Sequence, residues 1–221
     1  LNDAENNLNG LPDLFNYTNN FYSFYARVED HNTGCVIIQD FNLQINPNPV
    51  AVQPPNLQGC DDDYDGLLAF NLSQQKNAII GSEDPANFNV TYFTNETNAI
   101  NDDNAINNNY AAIDGEIVYA RMENIITGCF DTTSFSITVF PLPVVNIEDI
   151  VPLCINDLPL IIDASTGNVG DTYLWSTGET SNQIGLMPED LGDYWVIITS
   201  INNCQVYHEF SVIESEEASI N

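Results

Sequence analysis

An internal repeat is the feature that most limits how this chain of 221 residues can fold. The segment FYARVEDHNTGC, which begins at Phe24, returns 94 residues later as VYARMENIITGC, which begins at Val118. The same shift relates Phe41 to Phe135 further along the chain. Matches at one fixed shift over this length indicate a tandem repeat in which each copy is a structural unit.

The repeat divides the chain into three parts. Residues 1–49 match only the C-terminal part of one copy, because the first half of the repeat has no counterpart before Phe24. Residues 50–143 form the complete copy, and residues 144–221 form a shorter and different module. We call these the partial repeat, the complete repeat and the third module. We expect a fragment of a longer array, whose Pro-x-Pro linkers before residues 50 and 144 stiffen the connections.

Strand signals recur along nearly the whole chain. Short runs rich in aromatic and β-branched residues alternate with clusters of Asn, Asp, Gly and Pro, which is typical of β-sandwiches. In the third module, Asp190-x-Gly192-x-Tyr194 has the form of an immunoglobulin tyrosine corner, and Trp175 is the candidate core tryptophan. We therefore predict an all-β fold, with tandem immunoglobulin-like or PKD-like β-sandwich modules arranged in a rod.

Five cysteines leave one without a partner in the chain. Cys60 and Cys129 bracket the complete repeat, and Cys154 and Cys204 bracket the third module, so the sequence predicts these two disulfides. Cys35 is then the unpaired cysteine. Paired cysteines indicate an oxidising compartment and hence secretion.

An acidic loop in the complete repeat is the strongest local motif. Asp61, Asp63 and Asp65 alternate ahead of a glycine, as in calcium loops of the D-x-D-x-D-G type, and the backbone carbonyl of Leu67 occupies the seventh position. The twelfth position is Leu72 instead of a bidentate glutamate. The motif predicts a Ca²⁺ site, and the alternative is a solvated acidic turn.

One arginine recurs in both copies of the repeat. In the motif Y-A-R-x-E, Tyr25 and Arg27 correspond to Tyr119 and Arg121. The chain has only 3 Lys and Arg residues, so a cation retained at one place indicates a structural role. We expect each arginine to form an ion pair or to stack on an aromatic ring within its own domain.

The charge balance excludes several functions. A net charge of −29 rules against binding of nucleic acids or anionic membranes, because phosphates are neutralised by basic side chains. No run of 18 apolar residues occurs, so no segment is expected to insert into a membrane. The two histidines lie far apart and neither is part of a recognisable triad, and catalytic sites are seldom duplicated along an array. We predict that the chain is not an enzyme.

The combination of Y-x-R-V/M-E, T-G-C, P-x-P, C-D-x-D-x-D-G and Y-L-W-S-T-G-E-T resembles the extracellular repeats of very large Bacteroidetes surface proteins. These proteins are exported by the type IX secretion system and include gliding-motility adhesins. The resemblance implies cell-surface display and a role as an adhesive or stalk region. It also makes Thr132, in Asp131-Thr132-Thr133, a candidate for O-glycosylation in this phylum.

The leading functional prediction is therefore a non-catalytic stalk or adhesive segment of a secreted surface adhesin. Its expected partners are neighbouring repeats of the same polypeptide, the type IX export machinery and a surface or polysaccharide ligand. The alternative is a carbohydrate-binding or accessory module of a secreted polysaccharide-degrading enzyme. Exposed, coplanar rings of Trp175 and Trp195 favour that alternative, and their burial removes it.

Overall fold

The computed structural model describes residues 1–12, 20–154 and 158–215. The partial repeat contributes a short helix, α1 (Asn2–Asn6), and one antiparallel hairpin of β1 (Phe21–Glu29) and β2 (Val36–Gln44). The side chain of Phe41 in this hairpin is 52% exposed, whereas its repeat counterpart Phe135 is 2% exposed. Among the described residues, the hairpin therefore lacks the covering strands that bury the same positions in the complete repeat.

The complete repeat has six strands in two sheets. They are β3 (Leu57–Cys60), β4 (Leu67–Asn71), β5 (Phe88–Phe93), β6 (Asn109–Ile113), β7 (Ile117–Asn124) and β8 (Phe130–Phe140). The larger sheet has the order β3-β8-β7-β5, and β4 pairs with β6. All pairs are antiparallel except β3 with β8, which is parallel.

Alternation of apolar and polar side chains gives the complete repeat its core. Apolar residues from both sheets pack into one cluster, in which Met122, Phe135 and Ile137 are almost fully buried. Two short helices, α2 (Lys76–Ile80) and α3 (Glu96–Asn101), lie in the connections between strands. Period-2 burial along β8 is the pattern expected for a strand with one face on a core.

The third module repeats this plan with different residues. Its strands are β9 (Ile150–Leu153), β10 (Leu160–Asp163), β11 (Thr172–Trp175), β12 (Gln183–Leu186), β13 (Gly192–Thr199) and β14 (Gln205–Glu214). The larger sheet has the order β11-β13-β14-β9, and β10 pairs with β12. Here too the first strand runs parallel to the last, β9 beside β14.

The core of the third module is built around a tryptophan and a tyrosine corner. Trp175 is 1% exposed and its indole N–H donates to the carbonyl of Ser181 at 2.7 Å. The hydroxyl of Tyr194 donates to the carbonyl of Asp190 at 2.7 Å, which closes the corner. The predicted all-β fold with immunoglobulin-like sandwich modules is confirmed. None of the helices in the described part of the chain is long and apolar enough to cross a membrane.

Candidate functional site at the junction of two modules

A disulfide joins the complete repeat to the third module. It links Cys60 to Cys204, across 144 residues of sequence. The predicted pairs Cys60–Cys129 and Cys154–Cys204 are therefore wrong, and Cys35, Cys129 and Cys154 are unbonded within the described chain.

The parallel pairing of first and last strands explains the error. Cys60 lies beside Phe140 at the end of β8, whereas Cys129 directly precedes that strand of 11 residues. At about 3.3 Å per residue, the two cysteines are separated by about 35 Å. Cys154 and Cys204 likewise lie at opposite ends of β14. Cysteines that bracket a module in sequence are thus at its two ends in space.

The bonded cysteine of the third module lies in the tight hairpin between β13 and β14. The amide of Ser200 donates to the carbonyl of Cys204 at 2.8 Å, and the amide of Cys204 donates to the Ser200 hydroxyl at 3.1 Å. Cys204 is 1% exposed, and its sulfur lies 4.0 Å from the carbonyl oxygen of Phe140. The hairpin therefore packs against the end of the last strand of the complete repeat.

The acidic loop that follows Cys60 lies at the same junction. The two carboxylate oxygens of Asp61 accept backbone N–H groups from Asp63 at 3.2 Å, Tyr64 at 3.1 Å and Gly66 at 2.9 Å. Tyr64 has a φ of 69°, and its hydroxyl donates to the carbonyl of Pro143 at 2.9 Å. The loop is thus folded around Asp61 and attached to the linker between the modules.

Three carboxylates of this loop are close enough to share a cation. Ligand oxygens of Asp61, Asp63 and Asp65 lie within 4.8 Å of one another. The backbone N–H of Asp65 lowers the pKa of Asp63, but burial and the charges of Asp65 and Asp62 raise it more, so the pKa lies above its usual value. Leu67 begins β4 directly after the loop. The oxygens suit a hard divalent cation, and calcium binding stays a prediction.

Asp61 predicts an acid-dependent loss of stability. Burial raises the pKa of its carboxyl, but N–H groups of Asp63, Gly66 and Tyr64 lower it more. Because the folded pKa lies below the unfolded one, this stabilisation is present at neutral pH and is lost as the pH falls below about 4. We expect the unfolding midpoint of the wild type to drop between pH 5 and 3, roughly across the ordinary carboxyl pKa.

The matched variant is Asp61→Asn, measured by thermal unfolding across the same pH range. It should be less stable than the wild type at neutral pH and should lose less on acidification, since it has no carboxyl to protonate. Parallel curves for the two proteins would contradict the stabilising role of the Asp61 carboxylate.

The recurrent arginine of the complete repeat lies in a separate cluster. The guanidinium of Arg121 donates to Glu123 at 2.6 and 2.8 Å and to the carbonyl of Ile100 at 2.9 Å. It also lies 3.4 Å from the ring centroid of Phe130. In the partial repeat, Arg27 pairs with Glu29. These contacts are internal to the modules, and those of Arg121 connect β7 to β8 and to helix α3.

Three further residues singled out from the sequence lie apart from the junction. Tyr25 is exposed on the β1–β2 hairpin, and Tyr119 is half-buried on β7. Thr132 is half-buried on β8, directly opposite Arg121 in the strand register. Tyr119 and Thr132 lie on adjacent strands and line one pocket, whereas Tyr25 lies in the partial repeat, and glycosylation of Thr132 stays a prediction.

The two tryptophans do not form one platform. Trp175 is buried, which removes the predicted pair. Trp195 is half-buried on the opposite face of the sheet and contacts Tyr207, with ring centroids 5.8 Å apart and planes at 35°. Tyr207 was missed in the sequence, because its position opposite β13 depends on the hairpin register.

The two sheets in the complete repeat and in the third module, the tyrosine corner and the bond between these modules define a tandem immunoglobulin-like protein with an inter-module disulfide. The sequence of residues 1–49 and 56–143 matches the family described as the Flavobacterium inter-domain disulphide bond domain. This match covers more than half of the chain, and the chain belongs to that family. No curated protein sequence matches the chain.

Several solved structures match this chain at low TM-scores and low sequence identity. The two immunoglobulin domains of DIP-gamma match with a TM-score of 0.35 and 10% identity, over 77% of this chain and 99% of that one. Extracellular domains 3–5 of Drosophila OTK match at 0.33 and 11%, over 84% and 68%. The Bacteroides ovatus glucan-locus protein SGBP-B, solved with a mixed-linkage heptasaccharide, matches at 0.23 and 14%, over 86% and 47%. At TM-scores below 0.5, none of these similarities identifies a function.

Proposed function

We propose that this chain is a non-catalytic stalk or adhesive segment of a large secreted surface protein, in which a disulfide holds neighbouring modules at a defined angle. The observation that carries the proposal is the Cys60–Cys204 bond between the complete repeat and the third module. A disulfide between two modules limits their relative movement. A spacer of fixed length requires this limit, whereas catalysis within one domain does not. The linker adds to the restraint through Pro141 and Pro143 and through its hydrogen bond from Tyr64.

The surface chemistry supports an extracellular position. With 32 acidic residues and 3 basic ones, neighbouring copies repel one another and remain soluble. A structural disulfide persists in oxidising compartments. The family from Flavobacterium and the resemblance to type IX cargo support export by that system and a role in surface attachment or gliding.

Calcium at Asp61, Asp63 and Asp65 would restrain the junction between the complete repeat and the third module further, since that loop contacts the linker.

The stiffness of the junction is tested by small-angle scattering of the full chain under non-reducing conditions. We expect the wild type to show one narrow distribution of interatomic distances. The Cys60→Ser/Cys204→Ser double variant should show a broader distribution that extends to longer distances, because only the linker then connects the modules. Cys154→Ser serves as the control and should match the wild type. Superimposable curves for all three proteins would contradict the proposed restraint.

A second function is favoured by one surface of the third module. A cleft of about 400 Å³ is lined by Trp195 together with the carboxylates of Asp149, Asp193 and Glu209. Tyr207 extends the aromatic surface beside it and is 52% exposed. Aromatic faces stack on sugar rings and carboxylates accept sugar hydroxyls, so this surface suits a neutral polysaccharide.

Affinity electrophoresis in gels that contain neutral β-glucans tests this second function. We expect migration of the wild type to be retarded and that of Trp195→Ala to be retarded several-fold less, since the variant loses the stacking ring. Tyr173→Phe, a conservative change on the opposite face of the same sheet, is the control. Equal retardation of the wild type and Trp195→Ala would show that the cleft is not the binding surface.

A further inference from the structure

The cleft beside Trp195 lies on the outer face of the larger sheet in the third module. Trp195 on β13 is directly opposite Glu209 on β14, and Asp193 is opposite Ser211. Side chains two residues apart on a strand point to the same face, so Tyr207 lies on this face as well. The aromatic rings and the carboxylates of the cleft are therefore side by side.

Two carboxylates of this cleft are held in place and each keeps one oxygen available. The hydroxyl of Ser211 donates to Oδ1 of Asp193 at 2.6 Å, and the hydroxyl of Tyr207 donates to Oε1 of Glu209. Within the described residues, Oδ2 of Asp193 and Oε2 of Glu209 accept no hydrogen bond. These two oxygens are thus available to a donor on a ligand.

No basic side chain of the third module neutralises these carboxylates. Residues 144–221 contain no Lys or Arg. The one histidine of the module, His208, lies on the opposite, core-facing side of the sheet, where it pairs with the buried Val196. Arg27 and Arg121 form ion pairs within the other two modules. The cleft therefore has a negative charge that a cationic ligand would neutralise.

The aromatic part of the cleft is wide enough to favour a sugar ring over a linear side chain. The ring centroids of Trp195 and Tyr207 are 5.8 Å apart, and Tyr207 is 52% exposed. A pyranose ring presents a flat apolar face to such a surface, and its equatorial substituents then point sideways. Asp193 and Glu209 adjoin Trp195 in the strand register. An amino substituent of the stacked sugar is therefore directed towards a carboxylate.

We propose that this cleft binds polysaccharides with free amino groups, such as glucosamine polymers, in preference to neutral polysaccharides of the same backbone. The inference rests on the second function proposed above and specifies the class of glycan. An ammonium group keeps the hydrogen bond that a hydroxyl makes to Asp193 or Glu209 and adds the attraction of opposite charges. The same carboxylates repel acidic polysaccharides.

The test is isothermal titration calorimetry of the full chain with three β-1,4-linked hexasaccharides that differ only at carbon 2. Cellohexaose has a hydroxyl there, the glucosamine hexamer an ammonium, and the N-acetylglucosamine hexamer a neutral amide. The titrations are made at about pH 5.5, where carboxylates are ionised and the sugar amines are protonated. Salt at about 0.1 M screens charges that are more than about 10 Å away.

We expect the wild type to bind the glucosamine hexamer about tenfold more tightly than the other two sugars, since a few exposed ion pairs each add a modest attraction. Asp193→Asn/Glu209→Gln keeps an acceptor for Ser211 and Tyr207 but removes both charges. It should reduce the preference to within about twofold and leave the affinity for cellohexaose unchanged. Asp102→Asn/Asp103→Asn removes the same charge from exposed positions of the complete repeat and should keep the preference.

The outcomes separate this inference from the function on which it rests. Equal binding of the three hexasaccharides would overturn the preference and leave the second proposed function intact, whereas binding of none of them would contradict both. A preference that survives Asp193→Asn/Glu209→Gln, or that is lost in Asp102→Asn/Asp103→Asn, would assign it to net charge and overturn the inference. Hexalysine that binds as tightly as the glucosamine hexamer would overturn it as well, because the cleft would then recognise a cationic peptide.

Discussion

Removal of the disulfide between the modules should lower the free energy of unfolding by about 5 kcal/mol in the chain-entropy account. The bond closes a loop that spans 144 residues, and the loss of such a long loop restores much entropy to the unfolded chain. The Cys60→Ser/Cys204→Ser double variant is the right form of the experiment, because neither cysteine is then left free to bond another. The measurement is urea unfolding of the full chain without reductant, followed by near-ultraviolet circular dichroism.

Two controls separate the bond from the loss of a thiol. Cys154→Ser removes an exposed, unbonded cysteine and should unfold with the wild type. Reduced wild-type protein should unfold with the double variant. If the double variant has the same midpoint as the oxidised wild type, the bond does not restrain the unfolded chain and its proposed contribution is wrong.

Replacement of Arg121 by methionine should lower the stability of the complete repeat by about 3 kcal/mol. Arg121 is 7% exposed, and its guanidinium makes hydrogen bonds to Glu123 and to the carbonyl groups of Ala99 and Ile100. Methionine fills a similar volume but leaves those acceptors without a donor, and an unpaired buried acceptor is costly. Arg121→Lys should recover only part of the loss, because one ammonium cannot reproduce the planar fork.

The matched control for this change is Lys76→Met. It removes the same charge, here from the first turn of α2, yet it breaks none of these contacts. We expect its unfolding midpoint to stay close to that of the wild type. Equal loss in the two variants would mean that net charge, not the Arg121 cluster, determines the effect.

Much of the fold follows from local patterns. The sequence shift between Tyr25 and Tyr119 defines the repeat unit. The alternation of apolar and polar residues along β8 predicts a strand with one face on a core. The tyrosine corner was recognisable because Asp190 and Tyr194 are four residues apart and their contact is local. Each of these signals depends on neighbours in sequence.

The disulfide depends on the pairing of β3 with β8, which local sequence patterns do not predict. Cys60 reaches the end of its module only because β3 lies parallel to β8, and parallel pairing joins residues about 80 apart in sequence. The sequence nevertheless held a usable signal. Cys204 follows a hairpin turn as Cys35 and Cys129 do. Alignment of the third module to the repeat by its hairpin turns would therefore have matched Cys204 to Cys35 and Cys129.

For the acidic loop, too, the sequence predicts local features but not contacts with distant segments. Its residues were found from their spacing, but its position against Pro143 was not, because the contact from Tyr64 spans 79 residues. The aromatic surface was found only in part, since Trp195 meets Tyr207 through the β13–β14 register. Chemistry along one segment was predictable, and chemistry between segments required the fold.

Peptide mapping of the oxidised chain of 221 residues tests the central claim most directly. Cleavage before aspartate places the five cysteines on five separate peptides, 30–39, 40–60, 114–130, 149–156 and 193–221. We predict that peptide 40–60 is linked to peptide 193–221 and that the other three carry free thiols. A link from 40–60 to 114–130, or from 149–156 to 193–221, would place the bonds within modules and contradict the inter-module junction.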